Sequence, residues 1–390
     1  MMKQIILDTI NENEAKFKDI SIYIGENPEL GHEEFKACEI LTDTLKQHGF
    51  NVEIGICDLP TAFKATFDSG KAGPVIGYMA EYDALPELGH ACGHNLIGTM
   101  GIAAGIGLSK VLSETGGKVI VYGTPAEETK GGKVTMAEAG IFEELDVAMM
   151  VHPLDNYMTS GDSLAMDAIQ FEFFGKAAHA AASPHLGINA LDAVLQTFNS
   201  INALRQHIKS DARIHGVITE GGKAANIVPD YAVAQFYVRA GKREEVNKLV
   251  EKVKQCAEGA ALQTGATVKS SFYEFSYDDM ITNQTLSDLF TKQLVDLGVD
   301  ASEIQVQRDG SGSLDMGNVS QVVPSIHPYV KICNEAYACH THEFREAAMS
   351  DQGRDAMILG AKSMALTGLE ILTNKELLAE IKAEFIKNKN

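Results

Sequence analysis

The chain has 390 residues, of which 45% are hydrophobic and 22% charged, and its formal net charge is −20 at pH 7. This length predicts two domains, or one large domain that carries an insertion. The negative charge disfavours binding to nucleic acid and to anionic membrane surfaces. No uninterrupted apolar run reaches the roughly 18 residues of a membrane span, and the N-terminal segment is too acidic for a signal peptide. We therefore expect a cytoplasmic protein, whose six scattered cysteines form no disulfides.

The first 160 residues alternate between helical and β-rich segments. Helices are predicted within residues 1–50, with a break at Asn27-Pro28, and the β-rich runs NVEIGI, TAFKATF and PVIGYMA follow. The small apolar segment NLIGTMGIAAGIGLSKVL predicts a buried helix, and KVIVYG and DVAMMV predict buried strands. This alternation predicts an α/β domain with a mixed, largely parallel sheet that is flanked by helices.

The pattern changes after residue 160. MDAIQFEFFG and YAVAQFYVRA read as alternating strands, and INALDAVLQTFNSINAL and REEVNKLVEKVKQCAEGAAL read as helices. These segments predict a small α+β module over residues 165–278, inserted between the two parts of a larger domain, 1–164 and 279–390. The larger domain's sheet is expected to resume near residue 303, and the chain to end with the helix DQGRDAMILGAKSMALTGLEIL.

Four separated segments supply good metal ligands. They are Cys92 with His94, Glu127 with Glu128, His152, and His340 with His342. Thiolate, imidazole and carboxylate donors together suit zinc or a similar first-row ion. Since ligands gather beyond the carboxyl ends of parallel strands, we expect these side chains to converge at one edge of the sheet.

Other interpretations of the same residues are weaker or remain open. HEEFK and HEFRE lack the second histidine of the helical zinc-protease motif, and neither a GxSxG motif nor a zinc-deaminase motif is present. Adjacent carboxylates repel each other, so one of Glu127 and Glu128 can bind a cation while the other faces the cavity as a base. Cys92 beside His94 could instead be a thiol nucleophile with its base.

The segments EYDALPELGHACGHN, TPAEETKGG, MMVHP, GKAAHAAASPHLGINALDA and ACHTHEF occur in this order along the chain. Together they resemble the zinc-type amidohydrolases and metallopeptidases related to aminoacylase, hippurate hydrolase, auxin-conjugate hydrolase and aminobenzoyl-glutamate hydrolase. The similarity is greatest to the aminobenzoyl-glutamate hydrolase and peptidase-like branch. It implies a catalytic domain with two divalent metal ions, zinc or manganese, interrupted by a lid that also forms a homodimer or a dimer of dimers.

The resemblance also implies roles for individual residues. Glu127 is the general base, Asp83 orients the site from outside the ligand shell, and His342 is an outside alternative to the last ligand. The implied metal ligands are Cys92, His94, Glu128, His152 and His340, with Cys92 at a bridging position that an aspartate holds in other branches. In the lid, His179 polarises the scissile carbonyl, often in the partner's active site, and Asn226 and Arg239 bind substrate. Residues Gly310 to Asp315 form a substrate loop, and His90 is structural.

The expected function is metal-dependent hydrolysis of the amide bond in small N-acyl amino acids, dipeptides or aminobenzoyl-glutamate-like conjugates. Two alternatives keep the fold. In one, Cys92 acts as a covalent nucleophile, and in the other the protein binds a metal or metabolite without catalysis. The presence of Glu127 argues against the second, because binding alone requires no base.

Overall fold

The computed structural model describes residues 1–307 and 312–389. Its chain divides into two compact units. Unit 1 consists of Met1–Asp162, Met280–Gly310 and Leu314–Asn390, and unit 2 consists of Ser163–Asp279 and Ser311–Ser313.

The first part of unit 1 alternates between helices and strands, close to the predicted pattern. Its elements are α1 (Met2–Glu12), α2 (Glu14–Glu26), α3 (Phe35–Gln47), β1 (Asn51–Ile54), β2 (Phe63–Asp68), β3 (Val75–Ala80), α4 (His94–Ser109), α5 (Leu112–Thr115), β4 (Lys118–Gly123), α6 (Gly132–Glu138), β5 (Val147–Met149), β6 (His152–Leu154) and β7 (Tyr157–Met158). All of α4 is buried. Its small residues allow close packing on the sheet, since an added Cβ on Gly105 would lie 2.4 Å from Cγ2 of Val121.

Unit 2 is a small α+β structure with an antiparallel sheet of order β11-β8-β10-β9. Its elements are β8 (Ala165–Phe174), α7 (Ala190–Leu204), β9 (Arg213–Glu220), β10 (Tyr231–Ala240), α8 (Arg243–Thr264) and β11 (Thr267–Phe272). The sequence pattern predicts β8, β10, α7 and α8. It does not predict β9 and β11, because most of their side chains are exposed and leave a weak hydrophobic signal.

The chain then returns to unit 1. The remaining elements are α9 (Gln284–Asp296), β12 (Ile304–Gln305), α10 (Met316–Ser320), β13 (Ser325–Ile326), β14 (Tyr329–Lys331), α11 (His342–Ala348), α12 (Asp351–Thr373) and α13 (Lys375–Lys389). Among the described residues, α12 is the helix that is long and apolar enough to cross a membrane, but 78% of its most apolar window is buried within the structure. It packs against α4 and α9, as a core helix does.

The main sheet of unit 1 has the order β1-β2-β4-β3-β5-β13. The neighbours from β4 to β13 are parallel, and β1, β2 and β4 pair antiparallel, which confirms the predicted mixed, largely parallel sheet. The strand near residue 303 is an exception to the prediction, because β12 joins a second sheet of order β12-β7-β14-β6 and the main sheet resumes only at β13.

The register of the main sheet determines where polar side chains meet. Ala80 at the end of β3 pairs with Gly123 at the end of β4. The loops that follow these two strands therefore start side by side, at the edge where ligand sites form in parallel sheets.

Candidate metal centre

The turn at the start of α4 brings the first pair of candidate ligands next to a third. Gly93 has a φ of +79°, and an added Cβ there would lie 2.4 Å from Cγ of Pro153. Glycine is needed at this position, both for the left-handed backbone and for the close approach. As a result, Sγ of Cys92 lies 3.4 Å from Nε2 of His152.

The candidate histidine ligands His94 and His152 both present Nε2 to the site. Nδ1 of His94 lies 3.0 Å from Oδ1 of Asp83, and Nδ1 of His152 lies 2.7 Å from the carbonyl oxygen of Pro153. A carbonyl oxygen can only accept a hydrogen bond, so Nδ1 of His152 carries the proton and donates it. Asp83 likewise accepts from Nδ1 of His94. A hydrogen bond on the far nitrogen is the usual arrangement for a metal-bound histidine.

Negative charge is concentrated around Nε2 of His94. This buried nitrogen makes no hydrogen bond, although carboxylate oxygens of Glu81, Glu128 and Glu127 lie 3.6, 3.9 and 4.0 Å away. Burial opposes protonation, but Asp83 and Glu81 outweigh it and raise the pKa of His94. This position therefore has a strong demand for positive charge, which a bound cation would meet.

The two adjacent glutamates differ in their environments. Burial, followed by the charges of Glu81 and Glu128, raises the pKa of Glu127. Burial also acts on Glu128, but the hydrogen bond from His340 outweighs it and lowers the pKa of Glu128. Nε2 of His340 lies 3.2 Å from Oε1 of Glu128. Neighbouring carboxyls with opposite pKa shifts are typical of sites where one is a ligand and the other a base.

The described residues contain three groups whose ligand atoms all lie within 4.8 Å of one another. They are Cys92–His94–His152, Cys92–Glu128–His340, and His94–Glu127–Glu128. Cys92 belongs to two of these groups, which fits two neighbouring ions that share a thiolate. The donor set of sulfur, imidazole nitrogen and carboxylate oxygen fits zinc or a related divalent ion. His342 is exposed and belongs to none of the groups, as does the buried His90.

Asp83 links the two halves of the centre. One of its oxygens accepts from His94, and the other accepts from the backbone N–H of Glu128 at 3.0 Å. Asp83 is buried and holds a ligand histidine and the glutamate turn in a fixed relation. Its predicted orienting role agrees with this geometry.

A buried ion triad borders the centre and was not predicted from the sequence. The ammonium of Lys133, which is fully buried, is bonded to Glu81 and lies 2.7 Å from Oδ1 of Asp315. Burial opposes the charge, but Asp315 and Glu81 raise the pKa of Lys133. The partners are 52 and 182 residues from Lys133 along the chain. The only sequence signal is a lysine next to the apolar start of α6.

The predicted lid residues lie in unit 2. His179 is exposed, and its Nδ1 accepts from the backbone N–H groups of Ala181 and Ala182, so Nε2 carries the proton as a donor. Asn226, also exposed, accepts through its carbonyl oxygen from the N–H of Ala180. His179 and Asn226 therefore lie on neighbouring segments.

Arg239 of β10 is partly buried. Its Nη1 lies 3.3 Å from Oγ of Ser313, and its guanidinium lies over the ring of Tyr237. In the predicted substrate loop, Gly310 and Ser311 lie outside the described residues.

Comparisons with known proteins agree with this arrangement. Residues 166–265 match a family model described as a peptidase dimerisation domain. A Xaa-Arg dipeptidase of Mus musculus is 39% identical over 99% of this chain and 92% of its own length. One of the two p-aminobenzoyl-glutamate hydrolase polypeptides of Escherichia coli K12 is 37% identical over 76% of this chain and 65% of its own length.

A solved structure extends the likeness to the fold. It is described as a dinuclear metal binding peptidase of the M20 family from Bacillus subtilis, with a TM-score of 0.65 and 20% identity. The match covers 91% of this chain and 98% of that chain.

Proposed function

Since the chain belongs to the M20 family of peptidases and amidohydrolases, we propose that it hydrolyses the amide bond of dipeptides and small N-acyl amino acids with the help of two divalent ions. The observation that carries this proposal is the cluster of ligand atoms around Cys92, with Glu127 beside it. Dipeptides with a C-terminal arginine are the first substrates to examine, because the mouse relative bears that name and matches nearly all of this chain. Conjugates of aminobenzoyl-glutamate are the second.

The ligand groups named above would hold the ions, zinc or manganese, which supply polarisation of the scissile carbonyl and a lowered pKa of water. Glu127 accepts a proton from the attacking water and delivers it to the leaving amine. Its raised pKa suits a group that both takes and returns a proton near neutrality. Asp83 keeps His94 in the tautomer that presents Nε2. His179, whose Nε2–H is a donor, is proposed to polarise the substrate's carbonyl oxygen, and Asn226 and Arg239 to bind the substrate.

The test is a hydrolysis panel with and without a chelator. Ala-Arg, Ala-Lys, Ala-Glu and p-aminobenzoyl-glutamate are incubated with purified protein, with metal-depleted protein, and with protein to which zinc or manganese has been restored. We expect hydrolysis that is lost on depletion and regained with metal, with a preference for the basic dipeptides. The metal content of each sample is measured alongside the rates.

Two results would contradict this function. Hydrolysis that resists the chelator but stops on alkylation of thiols would favour Cys92 as a nucleophile. The structure offers little support for that mechanism, because neighbouring Cys339 and then burial raise the pKa of Cys92, and the thiolate is the nucleophilic form. Bound metal without hydrolysis of any substrate would favour a binding protein.

We further propose that unit 2 is the lid and dimerisation domain of a homodimer. The family model for a dimerisation domain matches within this unit. Strand β9 lies at the edge of its sheet, and Val217 and Ile218 on it are 59% and 41% exposed. An exposed edge strand with apolar side chains is a ready template for pairing with another chain. A cytoplasmic location stays a prediction.

Replacing Val217 with aspartate should therefore convert the dimer to a monomer, since it places a charge within the proposed interface. The measurement is molar mass by light scattering after size-exclusion chromatography. Val306→Asp in unit 1 is the control, because Val306 is also exposed (65%) and lies outside the proposed interface. A wild-type monomer, or a Val217→Asp variant that remains dimeric, contradicts the assignment of β9.

A further inference from the structure

Residues 29–34 pack against both of the loops that carry acidic groups of the proposed centre. The carbonyl oxygen of Glu29 accepts from the N–H of Ala84 at 2.8 Å, directly after Asp83. An added Cβ on Gly31 would lie 2.8 Å from Cβ of Ala126, directly before Glu127. We call residues 29–34 the bracing segment.

Glu34 makes the most specific of these contacts. It is fully buried and precedes α3, but its side chain does not cap that helix. Instead, Oε1 accepts from the backbone N–H of Ala126 at 2.9 Å. Oε2 accepts from the hydroxyl of Thr61 at 2.7 Å. Both carboxylate oxygens are therefore occupied by fixed, buried donors.

The backbone that Glu34 holds is strained. Ala126 has a φ of +62°, in the left-handed region that residues with a Cβ rarely occupy. Such a conformation persists only where surrounding contacts enforce it. The next N–H along the turn that is held by a carboxylate is that of Glu128, which donates to Asp83. Glu127 lies between these two points, so its direction depends on both.

A carboxyl at this position lowers stability. Burial raises the pKa of Glu34 to about 7, whereas an apolar side chain would fill the space without that cost. A residue that only packs would not need the charge. The acceptor for Ala126 is what a carboxyl adds.

We propose that Glu34 is a positioning residue for the reaction. It fixes the left-handed turn at Ala126 and thereby aims the carboxylate of Glu127. This proposal rests on the proposed role of Glu127 as the base. Glu34 itself touches neither substrate nor metal.

The experiment compares Glu34→Leu, Glu34→Gln and Thr61→Val. Leucine removes the acceptor, glutamine retains an oxygen that can accept from Ala126, and Thr61→Val removes the other hydrogen bond of Glu34 while leaving the one to Ala126. Amide hydrogen exchange of residues 124–131 is measured by mass spectrometry on metal-free protein. kcat, KM and metal content are measured on the metal-loaded protein.

For Glu34→Leu we expect exchange near Ala126 to accelerate about tenfold or more, since a buried donor loses its partner. kcat should fall by about 10–100-fold with KM nearly unchanged, because misplacement of a catalytic group acts mainly on the chemical step. Glu34→Gln and Thr61→Val should stay within about threefold of wild type in kcat. If Glu34→Leu does not fold, Glu34→Asp replaces it, because the shorter side chain draws the oxygen away from Ala126.

The proposal is overturned if exchange near Ala126 is unchanged in Glu34→Leu, or if Thr61→Val lowers kcat as much as Glu34→Leu does. Failure of glutamine to preserve activity also overturns it. The exchange measurement does not depend on activity. A Glu127→Gln variant that remains active would refute the base assignment and leave the exchange result standing, so the two failures can be told apart.

Discussion

Glu127→Gln is expected to lower kcat by roughly 10²–10⁴-fold while the protein retains its metal. The amide has nearly the shape of the carboxylate but cannot accept a proton near neutral pH. Ligand groups that do not include Glu127 remain, namely Cys92–His94–His152 and Cys92–Glu128–His340. The measurement combines steady-state kinetics with elemental analysis of the purified variant.

Glu128→Gln is the matched comparison, because it makes the same chemical change one residue away. Glu128 is the partner of His340 and belongs to two of the ligand groups, so its variant should lose metal as well as activity. Near-normal turnover of Glu127→Gln would refute the base assignment. Loss of metal from Glu127→Gln would instead make Glu127 a ligand.

Lys133→Met is expected to reduce the free energy of unfolding by about 3–5 kcal/mol, the usual effect of removing one partner from a buried ion pair. Methionine fills the space but leaves the carboxyls of Glu81 and Asp315 without their ammonium. Burial, even with Lys133 present, raises the pKa of Asp315 to about 6, since one cation is shared by two acids. The measurement is urea unfolding, followed by circular dichroism.

Lys130→Met is the control for Lys133→Met. Lys130 is exposed and lies three residues away, so its replacement should change stability by no more than about 0.5 kcal/mol. Adding Glu81→Gln and Asp315→Asn to Lys133→Met should restore part of the lost stability, because the buried acids then carry no charge. Equal stability of Lys133→Met and Lys130→Met would show that the triad is not a stabilising unit.

Much of the fold could be predicted from the sequence because its signals are local. The periodicity of β8, β10, α7 and α8 lies within each segment, and so does the small-residue composition of α4. The exposed strand β9 has no such internal pattern and is recognised only by its pairing with β10. The second sheet, with its two-residue strand β12, is equally invisible until the chain is folded.

For the candidate site, the sequence by itself determined which chemical groups are available: a thiol, imidazoles and a pair of adjacent carboxyls in separated segments. Only the tertiary structure decided which of them meet. It placed His340 rather than His342 beside Glu128, joined Lys133 to acids 52 and 182 residues away, and brought Glu34 to the N–H of Ala126, 92 residues further on. These contacts arise from how strands and loops pack at one edge of the sheet. Because each partner is chosen by that packing and not by its sequence neighbours, no local pattern could have revealed them.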